Sequence, residues 1–253
     1  MSAADPQMRP FAFVRPETVE AVLAALSEAA GGRLIAGGMT LLPAMKQRLD
    51  SPSRLIALAG VHELAGIRRD GERLVVGAMA RHVDIADSPA VRACIPALAD
   101  LASSVGDPQV RHRGTLGGAV ATNDPSGDYP AALVALDATV HTDRRSLGAE
   151  AFFTAPGDTA LAADELLLHV SFPIPSRAAY IKFANPVSGY AIVGVMVAER
   201  GGAVRVAVNG AAAKVFRVPE MERALERAFE PAVLTGAGLP ADLALREDLH
   251  ADA

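Results

Sequence analysis

At 253 residues the chain is long enough to bury a core and to form two or three compact lobes. Its 51% hydrophobic and 21% charged residues are ordinary globular usage, which excludes global disorder. A formal charge of −5, with basic residues scattered apart from Arg111 with Arg113 and Arg144 with Arg145, excludes the basic stripe of a nucleic-acid binder.

In chain order, Ala12–Pro16 reads as a short strand. Pro16-Glu17-Thr18 then opens an amphipathic helix running to about Ala30, with Val19, Val22, Leu23 and Leu26 on one face. Arg33–Ala36 is a second strand, ended by Gly37-Gly38, and Leu41–Arg48 a second helix, with a lobe boundary near Arg54. Arg54–Leu58 and Arg73–Gly77 read as strands on either side of a bend at His62–Ile67. Val83–Ala86 and Ala90–Ser103 read as helical, and Val110–Asn123 as a mixed, glycine-rich stretch. A helix over Tyr129–Leu136 follows, and then strands over Ala138–Thr142 and Leu167–Phe172 around an irregular segment. Pro173-Ile174-Pro175 is the strongest linker signal. Beyond it, Tyr180–Ala184, Ala191–Arg200 and Val204–Asn209 predict a sheet with a hairpin at Gly201-Gly202, and Pro219–Ala228 a helix. The fold class is α+β: residues 1–54 and 55–173 form two lobes of one unit, with 176–253 packed behind.

Several chemistries are disfavoured. The single cysteine, Cys94, reads as a small buried residue in a helix and cannot supply the four ligands of an iron–sulfur cluster. The six histidines, His62, His82, His112, His141, His169 and His250, are dispersed without a zinc or metalloprotease spacing, and no GxSxG nucleophile turn occurs. No acid–base or nucleophilic residue is singled out. No apolar run is long enough to span a bilayer and no signal peptide is visible, so the cytoplasm is the expected compartment. Arg144 and Arg145 read as a solvated face.

Two Gly-Gly segments carry the information. In Ile35-Ala36-Gly37-Gly38-Met39-Thr40-Leu41-Leu42, between a strand and a helix, the glycines permit positive φ and let backbone amides approach a phosphate. In Gly114-Thr115-Leu116-Gly117-Gly118-Ala119, Thr115 adds a hydroxyl able to donate to the same anion. A lone Gly-Gly after a strand is more often a tight turn than a ligand site. Neither has the GxGxxG or GxxxxGK[ST] spacing, which disfavours a Rossmann site and a P-loop.

With their flanks the segments resemble one family closely. Ala36-Gly37-Gly38-Met39-Thr40-Leu41-Leu42-Pro43-Ala44-Met45-Lys46 is similar to the first flavin loop of the medium subunits of carbon monoxide dehydrogenase, xanthine dehydrogenase and related molybdenum hydroxylases. The stretch from Pro108 through Gly118, continuing from Asn123 to Pro130, is similar to the second. Asp164-Glu165-Leu166-Leu167 and Tyr180-Ile181-Lys182-Phe183 add to the match. The resemblance implies a two-lobed FAD-binding fold of the vanillyl-alcohol oxidase (PCMH) type with a C-terminal α/β domain. It implies that residues 35–42 and 115–119 wrap the pyrophosphate and ribityl chain of FAD. Asp128 matches an acidic position that accepts from an FAD hydroxyl; its plain reading is an N-cap for the following helix, and the two roles are compatible. Val105, Leu168 and Lys182 match flavin-contacting positions, Lys182 having a solvated strand-edge charge as its alternative. Tyr190 matches an aromatic residue beside the isoalloxazine ring, against a plain core tyrosine.

The chain departs from the family pattern at Ala119, where Asn is common, at Met39, where a polar residue is usual, and at Gly189, where Asp is frequent and whose substitution should loosen the tyrosine loop. It also ends at Asp248-Leu249-His250-Ala251-Asp252-Ala253, where family members continue into one more helix. By resemblance the chain passes electrons through FAD, within a heterotrimer or dimer of heterotrimers. A large partner subunit holds the molybdopterin cofactor and a small one two 2Fe–2S clusters. Two other readings stay open: a flavin domain without catalysis kept to assemble those partners, and a stand-alone flavin reductase of the same fold.

Overall fold

The computed structural model describes residues 9–28, 31–247 and 251. The closing motif at 248–253 therefore lies, Ala251 apart, outside the described residues.

Three larger sheets follow one another along the chain, and a two-stranded antiparallel ribbon, Phe153–Ala155 with Asp158–Thr159, lies within the span of the second. The first is built from β1 (Ala12–Val14), α1 (Val19–Ser27), β2 (Gly32–Ile35), α2 (Leu41–Lys46) and β3 (Arg54–Ala57). Strands β1 and β2 flank β3 and pair with it in parallel, so each must be followed by a helical crossover. Thr18 caps α1 by accepting from the Ala21 amide at 3.2 Å, and Val22 and Leu26 bury its inner face. The helix ends at Ser27, short of the expected Ala30; Ala29 and Ala30 lie outside the described residues.

After two 3-10 turns, Leu58–Gly60 and His62–Ala65, come β4 (Ile67–Asp70) and β5 (Arg73–Gly77). Six helices follow: α3 (His82–Asp87), α4 (Pro89–Cys94), α5 (Pro96–Ser103), α6 (Pro108–Arg113), α7 (Leu116–Thr122) and α8 (Tyr129–Ala135). The single helix expected over Ala90–Ser103 is two, because Pro96 lacks an amide and crowds the preceding turn. The mixed stretch Val110–Asn123 is likewise two helices. Asp107 caps the first, accepting from the Val110 amide at 2.7 Å with Pro108 at the first helical position. Strands β6 (Thr139–Thr142) and β7 (Ser146–Gly148), helix α9 (Ala149–Phe152), strands β8 (Phe153–Ala155) and β9 (Asp158–Thr159), and β10 (Leu167–Pro173) complete this part. The segment expected to be irregular thus holds four short elements. The second sheet is antiparallel, in the order β4-β5-β10-β6-β7.

The third sheet, β11 (Arg177–Ala184), β12 (Ala191–Arg200), β13 (Ala203–Asn209) and β14 (Phe216–Arg217), is antiparallel in sequence order, with α10 (Pro219–Arg227) and a 3-10 turn at Pro231–Leu234 beyond it. Met196, Ala198 and Ala207 join the main core around α8, while Val204, Val206 and Val208 pack with Val218 and Leu225 in a separate cluster. Arg205 bonds Asp137 and Glu150 at 2.8 Å each, and Arg217 reaches Glu150 at 3.1 Å, fastening this sheet to the α8–α9 region.

Arg144 and Arg145 are exposed, as a solvated face requires, and both are ion-paired. Arg144 pairs with Asp164 at 2.6 Å and Arg145 with Glu165 at 2.9 Å. Buried Glu165 also accepts from the Thr142 hydroxyl at 2.7 Å, and these donors, Arg145 first, hold its carboxyl down at about 2. Two of the dispersed histidines come together: the His141 and His169 rings stack with centroids 4.4 Å apart. Cys94 is buried. Among the described residues no helix is long and apolar enough to cross a membrane, and no cluster of three metal-ligating side chains occurs.

Candidate cofactor site

The chain leaves β2 at Ile35 and folds back through Ala36, Gly37 and Gly38 before Thr40 opens α2. Gly38 has φ +76°, a conformation that favours glycine. Gly37 is required for another reason. A Cβ there would collide with the Arg113 carbonyl oxygen and lie 2.9 Å from the Gly114 Cα. A Cβ on Gly118 would lie 3.8 Å from that of Ala36. The two glycine segments therefore rest on one another. In the first, the amides of Gly38, Met39, Thr40 and Leu41 donate to no group among the described residues. Met39 and Thr40 are exposed, and Ile35, Ala36, Leu41 and Leu42 half-buried.

The second segment differs from expectation, because it is the first turn of α7. The Thr115 hydroxyl accepts from the Gly118 amide at 3.2 Å as a helix cap. Leu116 donates to the Ala80 carbonyl at 2.9 Å, Gly117 to Ala78 at 2.8 Å and Ala119 to Thr115 at 3.0 Å. All four amides from Leu116 to Ala119 are engaged. A Cβ on Gly117 would lie 2.7 Å from that of Ala78, so this glycine serves backbone packing. The Ala78 amide in turn donates to the Leu168 carbonyl at 2.9 Å. The Leu168 side chain packs on the first sheet's core and lines a cleft of about 180 Å³ with Val19, Glu63, Arg68 and His169.

Helix α7 ends at Asn123, in the left-handed region, whose buried amide donates to the Ala155 and Asp158 carbonyls at 2.9 and 2.7 Å. The loop that follows is docked on the third sheet by Gly210, donating to Pro125 at 2.8 Å, and Ala191, donating to Ser126 at 3.3 Å. It delivers Asp128, 6% exposed, to Lys182 at 3.0 Å and to the Tyr180 hydroxyl at 2.6 Å. Asp128 occupies the N-cap position of α8, but its side chain makes no capping bond to that helix. Lys182, its side chain 7% exposed, also donates to the Ser104 carbonyl at 2.8 Å, so it is not a solvated edge charge. Two of its three ammonium protons are thereby used. Burial pushes the Asp128 carboxyl above its ordinary range, and the Lys182 charge and the Tyr180 and Lys182 hydrogen bonds pull part of that back.

Tyr190 is 49% exposed, which excludes a plain core tyrosine. Burial, then the charges of Asp124 and Asp128, push its phenol up. Its loop is closed by Asn185, whose side-chain oxygen accepts from Val187 at 2.9 Å and Ser188 at 3.1 Å and whose amide donates to the Tyr190 carbonyl at 2.8 Å. Gly189 itself donates to the Asn185 carbonyl at 2.9 Å. A Cβ on Gly189 would come within 3.9 Å of the Gly106 Cα, beside Val105. Arg111 donates to the Val105 carbonyl at 3.1 Å and to that of Gly106 at 2.9 Å. Val105, Asp128, Lys182 and Tyr190 thus form one group and residues 35–42 with 115–119 a second, with Leu168 behind Gly117.

Residues 9–175 match the family described as the FAD binding domain in molybdopterin dehydrogenase. The chain belongs to that family. Among such subunits it is 36% identical over 223 residues to the nicotine 6-hydroxylase medium subunit of Paenarthrobacter nicotinovorans, covering 84% of this chain and 79% of that one. It is 34% identical over 262 residues to the carbon monoxide dehydrogenase medium chain of Hydrogenophaga pseudoflava, covering 96% and 90%. The structure of carbon monoxide dehydrogenase from Hydrogenophaga pseudoflava lacking the Mo-pyranopterin moiety superposes with a TM-score of 0.89 at 33% identity, covering 97% and 91% of the two chains. Quinoline 2-oxidoreductase from Pseudomonas putida 86 gives 0.86 at 29%, covering 96% and 90%. The fold is the PCMH-type FAD-binding fold of the molybdenum hydroxylase medium subunits.

The donor set of this medium subunit fits FAD. Four free amides suit diphosphate oxygens, a paired carboxylate has lone pairs for hydroxyl groups, and one ammonium proton is left for a ring acceptor. Three groups beside this set were not singled out from sequence. Tyr180 shares a strand face with Lys182, a signal present in the i, i+2 spacing. Arg111 holds the Val105 turn. His82 is buried against Gly114, its Nδ1 3.1 Å from the Tyr129 hydroxyl; nothing local in the sequence marks it.

Proposed function

We propose that this chain is the electron-transfer subunit of a molybdenum hydroxylase, taking electrons from 2Fe–2S clusters of a small subunit and passing them through FAD to an external acceptor. A large subunit holding the molybdopterin cofactor oxidises the organic substrate. The observation that carries this reading is the character of the site: it holds and orients, by amides, a buried Asp128–Lys182 pair and a half-exposed Tyr190. FAD supplies the redox chemistry when bound. The amides of Gly38–Leu41 hold the diphosphate, and the segment Thr115–Ala119 shapes and buttresses that loop. Asp128 accepts from a cofactor hydroxyl, and Val105, Leu168, Lys182 and Tyr190 line the remainder.

Two further facts support the division of labour. One cysteine cannot ligate a cluster, so the clusters belong to another chain. The relatives named as medium or FAD subunits differ widely in substrate, from nicotine to carbon monoxide to nicotinate, which suits a chain that does not read the substrate. The assembly is a heterotrimer or a dimer of heterotrimers in the cytoplasm.

The test is to express the chain with its neighbouring reading frames and measure FAD, molybdenum and iron in the purified material. We expect a yellow complex with about one FAD per chain and both metals in the partners. A colourless complex that refuses added FAD would favour the assembly scaffold. A yellow chain without metal-bearing partners would favour the stand-alone reductase.

A further inference from the structure

The Asp128–Lys182 pair is backed by a row of residues across three strands. Lys182 on β11 stands opposite Gly194 on β12, and Gly194 opposite Asn209 on β13. The Tyr180 hydroxyl lies across the space that Gly194 leaves open: a Cβ there would collide with the phenol and lie 2.5 Å from the Asn209 Oδ1. Tyr180 has one hydroxyl proton, and at 2.6 Å it is committed to Asp128. Asn209 is fully buried, its side-chain amide reaches Tyr180 at 3.4 Å, and its Nδ2 has no partner. With the amide turned so that nitrogen faces the phenol, Asn209 donates to a Tyr180 lone pair instead of competing for the proton given to Asp128.

We propose that Tyr180, backed by Asn209 in the space left by Gly194, is a positioning residue that locks the Asp128 carboxylate and, through it, the Lys182 ammonium at the cofactor site. The inference rests on the FAD reading above. The groups facing Asp128 are Lys182 and Tyr180 from β11, Tyr129 from α8, and Tyr190, with Asp124 beside it, from the hairpin and loop. Lys182 is the one cation among them. Burial already favours the neutral carboxyl, so removing the Tyr180 proton moves Asp128 further toward protonation. A protonated Asp128 is a poorer acceptor for a cofactor hydroxyl and leaves a buried ammonium uncompensated.

The test is the dissociation constant of FAD for the full-length chain, measured by flavin fluorescence quenching between pH 5.5 and 8. Tyr180→Phe is expected to bind FAD within about threefold of wild type at pH 8. At pH 5.5 it should bind roughly ten-fold more weakly than wild type, the size of a lost hydrogen bond to a charged group. Asn209→Ala should move the profile the same way by less, and serves alone if Tyr180→Phe does not fold. A profile parallel to wild type in a folded variant overturns the proposal. If the wild-type chain takes up no FAD at any pH, the FAD reading fails on its own. The protonated-carboxyl infrared band, assigned with Asp128→Asn in the cofactor-free chain, then decides. Its appearance at higher pH in the Tyr180 or Asn209 variant supports the lock, and an unchanged titration overturns it.

Discussion

Between Gly38 and Leu41 four successive amides donate to nothing in the described chain, whereas every amide between Leu116 and Ala119 is bonded to a carbonyl or to the Thr115 hydroxyl. The two segments share a Gly-Gly pair and lie one on the other. The first offers its backbone to a ligand; the second uses its backbone to build the wall behind it. Glycine is needed in both, but Gly37 and Gly117 are there so that two pieces of backbone can touch, and Gly38 for its positive φ.

The strongest way to break this comparison is to add a methyl group at the contact. Gly37→Ala places a Cβ against the Arg113 carbonyl and should cost about 3–4 kcal/mol, a fall in Tm of roughly 6–16 °C. Gly66, where a Cβ meets nothing within 4 Å, is the control, and Gly66→Ala should melt within about 2 °C of wild type. Equal melting of the two variants would show that the segments do not pack as described.

The wall should also be acid-sensitive where the loop is not. His82, buried behind Gly114, is held down to about 4 by burial first and then by the Arg111 charge. The fold therefore keeps it neutral while the unfolded chain protonates it near pH 6.5. Below pH 6.5 the unfolded state binds the extra proton, so this contribution to stability is lost as pH falls toward 4 and amounts to about 2–3 kcal/mol. Denaturant titrations at pH 7 and 4.5 should show a smaller loss for His82→Gln than for wild type. An identical loss would place His82 in contact with water.

How legible this was depended on periodicity. In β11 the alternation that sets Tyr180 and Lys182 on one face can be read from sequence, as can the Gly201-Gly202 hairpin, but not which face is buried, because the exposed residues are the apolar Ile181 and Phe183. The flanks of the glycine segments identify the family because many positions match jointly. The helical state of Leu116–Thr122 was hidden, since Gly117 and Gly118 are poor helix formers held there by the Thr115 cap and bonds to Ala78 and Ala80. The Asp128–Lys182 pair was legible as two positions but not as a contact, because 54 residues separate its members. Arg144 and Arg145 do lie exposed, as expected, but their partners Asp164 and Glu165 were not legible for the same reason, lying 20 residues on.

A smaller difference separates the two helix starts. Thr115 caps α7 with its hydroxyl, whereas Thr40, in the same position before α2, makes no side-chain cap bond. Thr115→Ala should cost about 1 kcal/mol, and Thr40→Ala under about 0.5 kcal/mol. Thr115→Ser should restore most of the loss. If both alanine variants melt together, the second segment does not owe its helix to the cap.

The smallest effect on stability, and the one most specific to the first segment, belongs to Met39. Its side chain is 38% exposed and stands among the four free amides. Met39→Ser removes apolar surface that is largely in water, so Tm should hold within about 2 °C. The serine hydroxyl adds a donor beside amides already free for an anion, and FAD binding should tighten by about two- to ten-fold, the worth of one net hydrogen bond. The two readouts must separate. A Tm that moves while affinity stays fixed would assign this loop to the scaffold, and the diphosphate would then have to be sought elsewhere than at Gly38–Leu41.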